Sequence, residues 1–153
     1  MSLHRGATEV CISIDSRPEY LPRLRTVIGC LAENMGMSTQ EMQDTKLAIT
    51  EACANAIRHG SPDGEQNAVV IKLVTSSRGF VAEVTDQGAG FDADTLVPNT
   101  ILEKPGGLGI PLMRAMADRV EFLRNAKGMT VRLLKKVKGS VGRRRISLRR
   151  ERR

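Results

Sequence analysis

The chain contains few aromatic residues, few cysteines and no long hydrophobic run. Aromatic side chains make up only 3% of its 153 residues and tryptophan is absent, so a hydrophobic core must be built from aliphatic residues and methionine. No apolar stretch approaches the roughly 20 residues that a membrane-spanning helix needs, and the N-terminus lacks the apolar region of a secretory signal. These absences argue against membrane attachment and favour a cytoplasmic location.

The cysteines are Cys11, Cys30 and Cys53, an odd number with no Cys-x-x-Cys pair among them. This arrangement argues against a disulfide framework and against a zinc site, and it favours a reducing compartment. We expect each of the three to be a small buried hydrophobic residue rather than a reactive thiol.

Basic charge is confined to the C-terminal end of the chain. Residues 1–134 hold 14 Lys and Arg against 16 Asp and Glu, whereas residues 135–153 hold ten basic residues and one acidic residue. We therefore expect one nearly neutral domain over residues 1–136 and a flexible basic tail over residues 137–153. The alternative for the tail is electrostatic attachment to nucleic acid, RNA polymerase or an acidic lipid surface. Base stacking is not supported, because the tail has no aromatic residue.

The first third of the chain has the patterns of one strand and two helices. Alternating apolar residues over residues 8–14 indicate the strand, and apolar residues at helical spacing over residues 18–35 indicate the first helix. Ser38 with Glu41 three positions later is the pattern of a capping box. It predicts a second helix over residues 39–59.

The rest of the domain predicts a sheet with helices on one face. The patterns indicate a hairpin, a helix and two further strands, at residues 67–75 and 79–85, 110–118, and 119–125 and 129–136. This order implies a two-layer α/β sandwich with a mostly antiparallel sheet, and a ligand between the helices and the sheet. Residues 91–105 have no clear period, and a segment of this length indicates a mobile lid over that ligand.

Three polar residues are spaced four apart on the second predicted helix. Glu51, Asn55 and His59 stack on one face of a helix, while the residues around them are mostly Ala, Ile and Cys. Such a stripe on its own is more often a solvated face than a site. Two glycine motifs downstream change that balance.

Both glycine motifs lie where a backbone can approach a ligand closely. Asp86 ends a predicted strand and is followed by Gly88 and Gly90, which allow close approach of the main chain. The second motif, residues 106–109, leads into a helix that has Pro111 in its first turn. Glycine-rich backbone at a helix N-terminus offers free N–H groups to a phosphate, although a single such loop is a weak signal.

Together and in this order, the motifs resemble the nucleotide-binding boxes of the GHKL ATPases, the superfamily of gyrase, Hsp90, histidine kinases and MutL. Residues 51–59 are similar to the N box, and residues 86–90 and 106–109 to the two glycine boxes. Residues 128–130 are similar to the Gly-x-Thr of the final strand. The resemblance covers residues 8–136 and implies the Bergerat ATP-binding fold. The amino-acid sequence of residues 51–60 looks like that of the anti-sigma-factor serine kinases of the RsbW and SpoIIAB type.

The resemblance implies a role for each motif residue. Glu51 would be the general base that accepts the proton of an attacking serine hydroxyl, and the Asn55 carbonyl would hold Mg²⁺. Asp86 would accept a hydrogen bond from the adenine amine, and Thr130 would support it from the adjacent strand. His59 would be either a supporting or a structural residue. The remaining ATP-binding residues implied are Gly88, Gly90, Lys104, Gly106, Gly107, Leu108 and Gly109.

One position departs from the family pattern. An arginine commonly precedes the second glycine box in these kinases, but Pro105 stands there in this chain. The neighbouring Lys104 carries a point charge without the arginine fork. The substitution puts the rate of phosphoryl transfer in question more than nucleotide binding.

The resemblance also implies partners. The chain would be a homodimer that phosphorylates a serine of a STAS-type anti-anti-sigma factor and sequesters a sigma factor. Arg25 on the first helix, or alternatively Arg23, would contact these partners. A second hypothesis is a nucleotide-dependent, partner-switching binding protein with little kinase activity. A third, the catalytic domain of a histidine kinase, lacks support because no helical segment with a phospho-acceptor histidine precedes the domain.

Overall fold

The computed structural model describes residues 6–89, 109–126 and 128–138. It confirms the predicted helices and strands, with ends that agree to within three residues. The elements are β1 (Thr8–Asp15), α1 (Leu21–Asn34), α2 (Thr39–His59), β2 (Ala68–Ser76), β3 (Gly79–Thr85), α3 (Gly109–Met116), β4 (Arg119–Asn125) and β5 (Gly128–Lys135). The predicted lid and most of the basic tail lie outside the described residues.

The five strands form one antiparallel sheet in the order β1-β2-β3-β5-β4. Strand β5 therefore lies between β3 and β4, although it follows both of them in the chain. As a result, the end of β3 is next to the start of β5, and Thr85 pairs with Thr130. This topology brings two motifs that are about 40 residues apart in sequence to one edge of the core.

The three helices pack on one face of this sheet. Their buried residues form a single core with the residues that the strands turn toward them; these include Leu24, Ile28, Ala48, Ile49, Ala52, Met113, Val69, Ile71, Leu73, Ala82, Val84, Val131 and Leu133. Among the described residues, Phe80 is the one aromatic residue that is fully buried. The core is aliphatic, as the composition predicts, and the two-layer α/β sandwich is confirmed.

Local sequence signals account for the ends of the first two helices. Pro18 begins a short 3₁₀ turn, Pro18–Tyr20, and α1 itself begins at Leu21 with a second proline in its first turn. Ser38 caps α2: its hydroxyl accepts from the Glu41 N–H at 3.1 Å, and the Glu41 carboxylate accepts from the Ser38 N–H at 2.8 Å. The predicted capping box is confirmed.

The expectation that all three cysteines are buried is wrong for two of them. Cys53 is buried on α2, and burial raises the pKa of its thiol to about 12. Cys11 and Cys30 are exposed, because β1 is an edge strand whose outer face is uncovered and because Cys30 faces away from the sheet. None of the helices within the described ranges is long and apolar enough to cross a membrane.

Candidate functional site

The C-terminal half of α2 and the first residue of α3 meet closely. Glu51 and Asn55 are half-buried on α2, and the backbone of Gly109 packs directly against them. A Cβ atom built on Gly109 would lie 3.2 Å from Glu51 Oε2, 3.2 Å from Asn55 Oδ1 and 3.1 Å from Asn55 Nδ2. A side chain at this position would be in tight contact, and the carboxylate and the amide would have to shift by a few tenths of an ångström to accommodate it.

A second carboxylate lies at the end of β3. Asp86 Oδ1 accepts hydrogen bonds from the backbone N–H groups of Gly88, at 2.9 Å, and Met129, at 3.3 Å. Burial raises the pKa of Asp86 above its ordinary value, and these two hydrogen bonds oppose the rise. Because both are made by one oxygen, Oδ2 remains available to accept from a ligand.

Glycines surround Asp86 on three sides. A Cβ on Gly60 would overlap the Asp86 carboxyl group, and a Cβ on Gly128 would overlap its backbone carbonyl. A Cβ on Gly88 would lie 2.7 Å from the Cα of Gly60. The Gln87 N–H also donates to the Gly60 carbonyl at 3.1 Å. The end of α2, the end of β3 and the start of β5 are therefore in direct backbone contact.

Within the described residues, the Thr130 side chain bonds to the residue before Asp86 and not to Asp86 itself, so its predicted supporting role stays a prediction. Its hydroxyl lies 2.8 Å from the hydroxyl of Thr85, its partner on β3. The residue that bonds Asp86 from β5 is Met129, through its backbone N–H. Since a backbone donor has no side-chain signature, the sequence did not single it out.

The remaining predicted residues in the described ranges lie at the periphery. His59 is exposed in the last turn of α2, and its backbone carbonyl, rather than its ring, faces Gly88. Arg23 and Arg25 are both exposed on α1, and neither makes an ion pair within the described residues. Exposure therefore does not show which of the two arginines would contact a protein partner.

Five predicted ATP-binding residues lie outside the described ranges: Gly90, Lys104, Gly106, Gly107 and Leu108. Their assignments stay predictions, as does the effect of Pro105. Conversely, Gly60 is not among the site residues that the sequence predicts. The structure shows that Gly60 is packed against Asp86. The feature of the sequence that could have indicated this is the His-Gly pair at the end of the N box.

Two hard oxygen donors converge where α2 meets α3. These are Glu51 Oε2 and Asn55 Oδ1, both 3.2 Å from the point that a Cβ on Gly109 would occupy. No cluster of three or more His, Cys, Asp or Glu side chains that suits a metal occurs in residues 6–89, 109–126 and 128–138. The Asn55 oxygen fits Mg²⁺, which takes few protein ligands and completes its shell with water and phosphate oxygens, and this leaves the adjacent Glu51 carboxylate free to act as a base.

Comparison with known proteins agrees with this arrangement. Residues 14–135 match the model of the histidine kinase-like ATPase domain. The serine-protein kinase RsbW of Bacillus pumilus is 33% identical over 135 residues, which cover 81% of this chain and 83% of that protein. The chain belongs to the RsbW family of serine-protein kinases. RsbW of Bacillus subtilis is 28% identical over 146 residues, 90% of this chain and 91% of that one.

Solved structures confirm the fold. The crystal structure of the RsbU and RsbW domains of a Mycobacterium tuberculosis protein superposes with a TM-score of 0.65 at 17% identity. That match covers 85% of this RsbW-family chain but only 32% of the longer mycobacterial chain. The histidine kinase domain of a blue-light-activated kinase from Erythrobacter litoralis gives a TM-score of 0.52 at 20% identity, covering 81% and 62% of the two chains. The GHKL-type ATP-binding fold is thus confirmed.

Proposed function

We propose that this chain transfers the γ-phosphoryl group of ATP to a serine of a STAS-type anti-anti-sigma factor, and that it sequesters a sigma factor. Membership of the RsbW family supports the serine-protein kinase activity. The observation that carries the chemistry is the contact of Gly109 with Glu51 and Asn55. It brings a base, a metal-binding amide and a helix N-terminus to one place.

The nucleotide is held at both ends of this site. Asp86 Oδ2 accepts a hydrogen bond from the adenine amine, while Gly88 and Met129 hold the other oxygen. The N-terminus of α3 stabilises the phosphates, because its free N–H groups carry a partial positive charge. Asn55 holds Mg²⁺, which when bound neutralises charge on the β- and γ-phosphates.

Glu51 is the general base in this proposal. Its carboxylate accepts the proton of the incoming serine hydroxyl, and positioned bases of this kind contribute about 10²–10⁴-fold to rate. Most of the remaining acceleration in phosphoryl transfer comes from positioning and charge neutralisation. The close packing of Gly109 supports this role, since it fixes the distance between base and phosphates.

Partner binding is assigned to α1. Arg25, with Arg23 as the alternative, is exposed and without an ion pair in the described part of the chain. Such an arginine is suited to a carboxylate on a protein partner. A sigma factor acts on RNA polymerase, so the proposal also places this kinase in the cytoplasm.

We also propose that the chain is a homodimer that packs through the uncovered face of its sheet, here called the open face. One row of neighbouring residues crosses this face with alternating charge, in the order Lys72, Glu83, Arg132 and Glu121. Arg132 pairs with Glu83 at 2.8 Å and with Glu121 at 3.5 Å. Rotation about a two-fold axis parallel to the strands reverses the row, so every charge faces its opposite in the second copy.

Rows of uncharged residues flank this charged row and supply burial for a dimer. On one side lie Val70 and Leu123, which are 36% and 39% exposed, with two threonines between them on β3 and β5. On the other side Val74, Val81 and Leu134 are neighbours across three strands. A charged centre between two uncharged rows favours one register of the second copy over others.

The kinase proposal is tested with Glu51→Gln, and with Glu65→Gln in the exposed turn between α2 and β2 as the matched control. We expect Glu51→Gln to bind Mg-ATP as the wild type does but to lose phosphoryl transfer by about 10²-fold or more. Glu65→Gln should behave as the wild type, because its one ion pair, with Arg17, is exposed. The measurement is transfer of radiolabelled phosphate to candidate STAS-type proteins, beside calorimetric binding of Mg-ATP.

Each outcome of this experiment has one meaning. Equal transfer by wild type and Glu51→Gln would exclude Glu51 as the base. Nucleotide binding without transfer by the wild type to any candidate substrate would favour the alternative function, a nucleotide-dependent binding protein. Absence of Mg-ATP binding by the folded wild type would overturn both.

A further inference from the structure

Lys135 stands at a core position at the end of β5. It pairs in register with the buried Phe80, and its side chain lies on the face of the sheet that the helices cover. The side chain is only 12% exposed and borders a small, mainly apolar cavity together with Ile49 and Met116. An ammonium group at such a position requires partners, because an unpaired buried charge is costly.

Two partners come from two different helices. Lys135 Nζ donates to the backbone carbonyl of Met116, the last residue of α3, at 2.8 Å. It also lies 3.4 Å from Oδ2 of Asp44, a 19% exposed residue near the start of α2. A cation is favoured at a helix C-terminus by the helix dipole and by the free carbonyl groups there. We call these three groups the Lys135 clamp.

The clamp holds one end of α3, and the other end lies at the functional site. Gly109 begins α3 against Glu51 and Asn55, whereas Met116 ends it in the clamp. A helix of eight residues is about 12 Å long and behaves as a short stiff rod. Because Asp44 precedes Glu51 on α2, the two helices run antiparallel and are joined at both ends.

From this geometry we propose that Lys135 is a positioning residue for the proposed kinase reaction. By fixing the C-terminus of α3 on α2, it sets where Gly109 and the helix N-terminus stand relative to Glu51 and Asn55. Loss of the clamp lets α3 tilt, with Met113 as the buried contact nearest its middle. Such a tilt moves the N–H groups that face the phosphates, while the Asp86 pocket, held by Gly60, Gly88 and Met129, stays in place.

A residue that only stabilises the fold would act differently. Its loss would lower the melting temperature and, in the folded fraction, affect adenosine and Mg-ATP equally. A positioning residue affects the triphosphate selectively, since adenosine contacts only the pocket around Asp86. The ratio of the two affinities therefore separates the two roles.

The test uses Lys135→Met, which keeps the length of the side chain and removes the ammonium. Lys136→Met is the matched control, because Lys136 is the exposed neighbour and, within the described part of the chain, it bonds through its backbone N–H, which donates to the Asp118 carboxylate. Equilibrium binding of Mg-ATP and of adenosine is measured on the full chain, well below each melting temperature. We expect Lys135→Met to weaken Mg-ATP binding about tenfold, and adenosine binding less than about twofold, as expected when a binding group is misplaced.

Asp44→Asn is the second variant, and it decides the matter if Lys135→Met does not fold. It should shift the same affinity ratio in the same direction, by a smaller factor, because the Met116 carbonyl bond remains. Equal weakening of both ligands, or no change in either, would overturn the proposal. The proposal depends on the kinase function, but the two can fail separately. If the wild type binds no Mg-ATP, the function is refuted. If the wild type binds Mg-ATP and Lys135→Met has the same ratio of Mg-ATP to adenosine affinity, only the role of the clamp is refuted.

Discussion

At the scale of single residues, the proposed adenine pocket depends on glycines that leave room for the side chain and backbone of Asp86. The carboxyl group of Asp86 lies over Gly60, where a Cβ atom would overlap it. Gly60 has a φ of −101°, which any residue can adopt. The requirement for glycine is therefore the contact with Asp86 and not the backbone conformation.

This contact predicts the effect of Gly60→Ala. The new methyl group should displace the Asp86 carboxyl group and break its hydrogen bond to the adenine amine. Losing a hydrogen bond to a charged group costs about 1.5–3 kcal/mol, so the Kd for adenosine and ATP should rise about tenfold or more. Calorimetry on the wild type, on Gly60→Ala and on Pro62→Ala, an exposed control two positions on, checks this. Equal Kd values for all three would exclude Asp86 as the adenine ligand.

At the scale of elements, Glu41 joins the start of α2 to the end of the sheet. One carboxylate oxygen accepts from the Ser38 N–H at 2.8 Å and the other from the Lys138 N–H at 2.7 Å. Glu41 is 8% exposed, and these backbone donors hold the pKa of its carboxyl group below the ordinary value. One residue thus completes the capping box and also fixes the chain where it leaves β5.

The lowered pKa gives a prediction for Glu41→Gln. A carboxylate with a lowered folded-state pKa stabilises the fold above its unfolded pKa, and this contribution is lost as the pH falls through the folded pKa. We expect Glu41→Gln to lower the free energy of unfolding by about 1–3 kcal/mol at neutral pH. The difference from wild type should shrink below the ordinary value of 4.5. Denaturant unfolding at several pH values measures it.

Ser38→Ala is the comparison for that experiment. It removes the hydroxyl from the same capping box at a cost of about 0.5–2 kcal/mol, and the hydroxyl does not titrate in this range. Its effect should depend on pH less than that of Glu41→Gln, because the Ser38 hydroxyl lowers the pKa of the Glu41 carboxyl group less than the two backbone N–H groups do. A pH-independent difference for Glu41→Gln would show that the charge on Glu41 does not contribute.

At the scale of the whole molecule, the open face gives a prediction about assembly. We expect the wild type to have twice the mass of one 16.7 kDa chain. The double variant Val70→Lys and Leu123→Lys should be monomeric, because it replaces two exposed apolar side chains of the open face with charged ones, and the second copy would have to cover them. Leu47→Lys is the control. Leu47 is 38% exposed, which is close to the exposure of Val70 and Leu123, but it lies on α2 and not on the open face. Light scattering measures the mass, and a dimeric double variant would exclude the open face.

The basic tail gives a second prediction at this scale. Residues 139–153 contain seven arginines and one glutamate, and their removal retains Lys138 and its bond to Glu41. We expect this deletion to leave Mg-ATP affinity within about twofold of wild type and to abolish any salt-sensitive retention on DNA. Equilibrium binding of Mg-ATP and of DNA at two salt concentrations measures both.

A longer deletion, from residue 137, is the informative counterpart. It also removes Val137, which packs on the core, and the Lys138 N–H that Glu41 accepts. The melting temperature should fall for this deletion and stay unchanged for the shorter one. A loss of Mg-ATP affinity on the shorter deletion would show instead that the tail takes part in the site.

Local patterns in the sequence were sufficient for the elements and for the choice of candidate site residues, whose roles stay predictions. The capping box at Ser38, the alternation in the strands and the four-residue spacing of Glu51 and Asn55 depend on neighbours close in the chain. The short-range geometry of helices and strands therefore determines them. The resemblance to GHKL ATPases added the roles, because three motifs in one order are specific where each alone is weak.

Tertiary structure alone decided which distant groups meet. The pairing of β5 with β3 brings the Met129 N–H to Asp86, and the antiparallel packing of α3 on α2 places Gly109 on Glu51. The packing of α2 on the sheet places Lys135 of β5 against Asp44. Backbone donors and glycine contacts leave no periodic pattern, and the outer face of an edge strand leaves Cys11 exposed although it lies among apolar neighbours. These features follow from chain topology and close packing, which act between residues far apart in sequence.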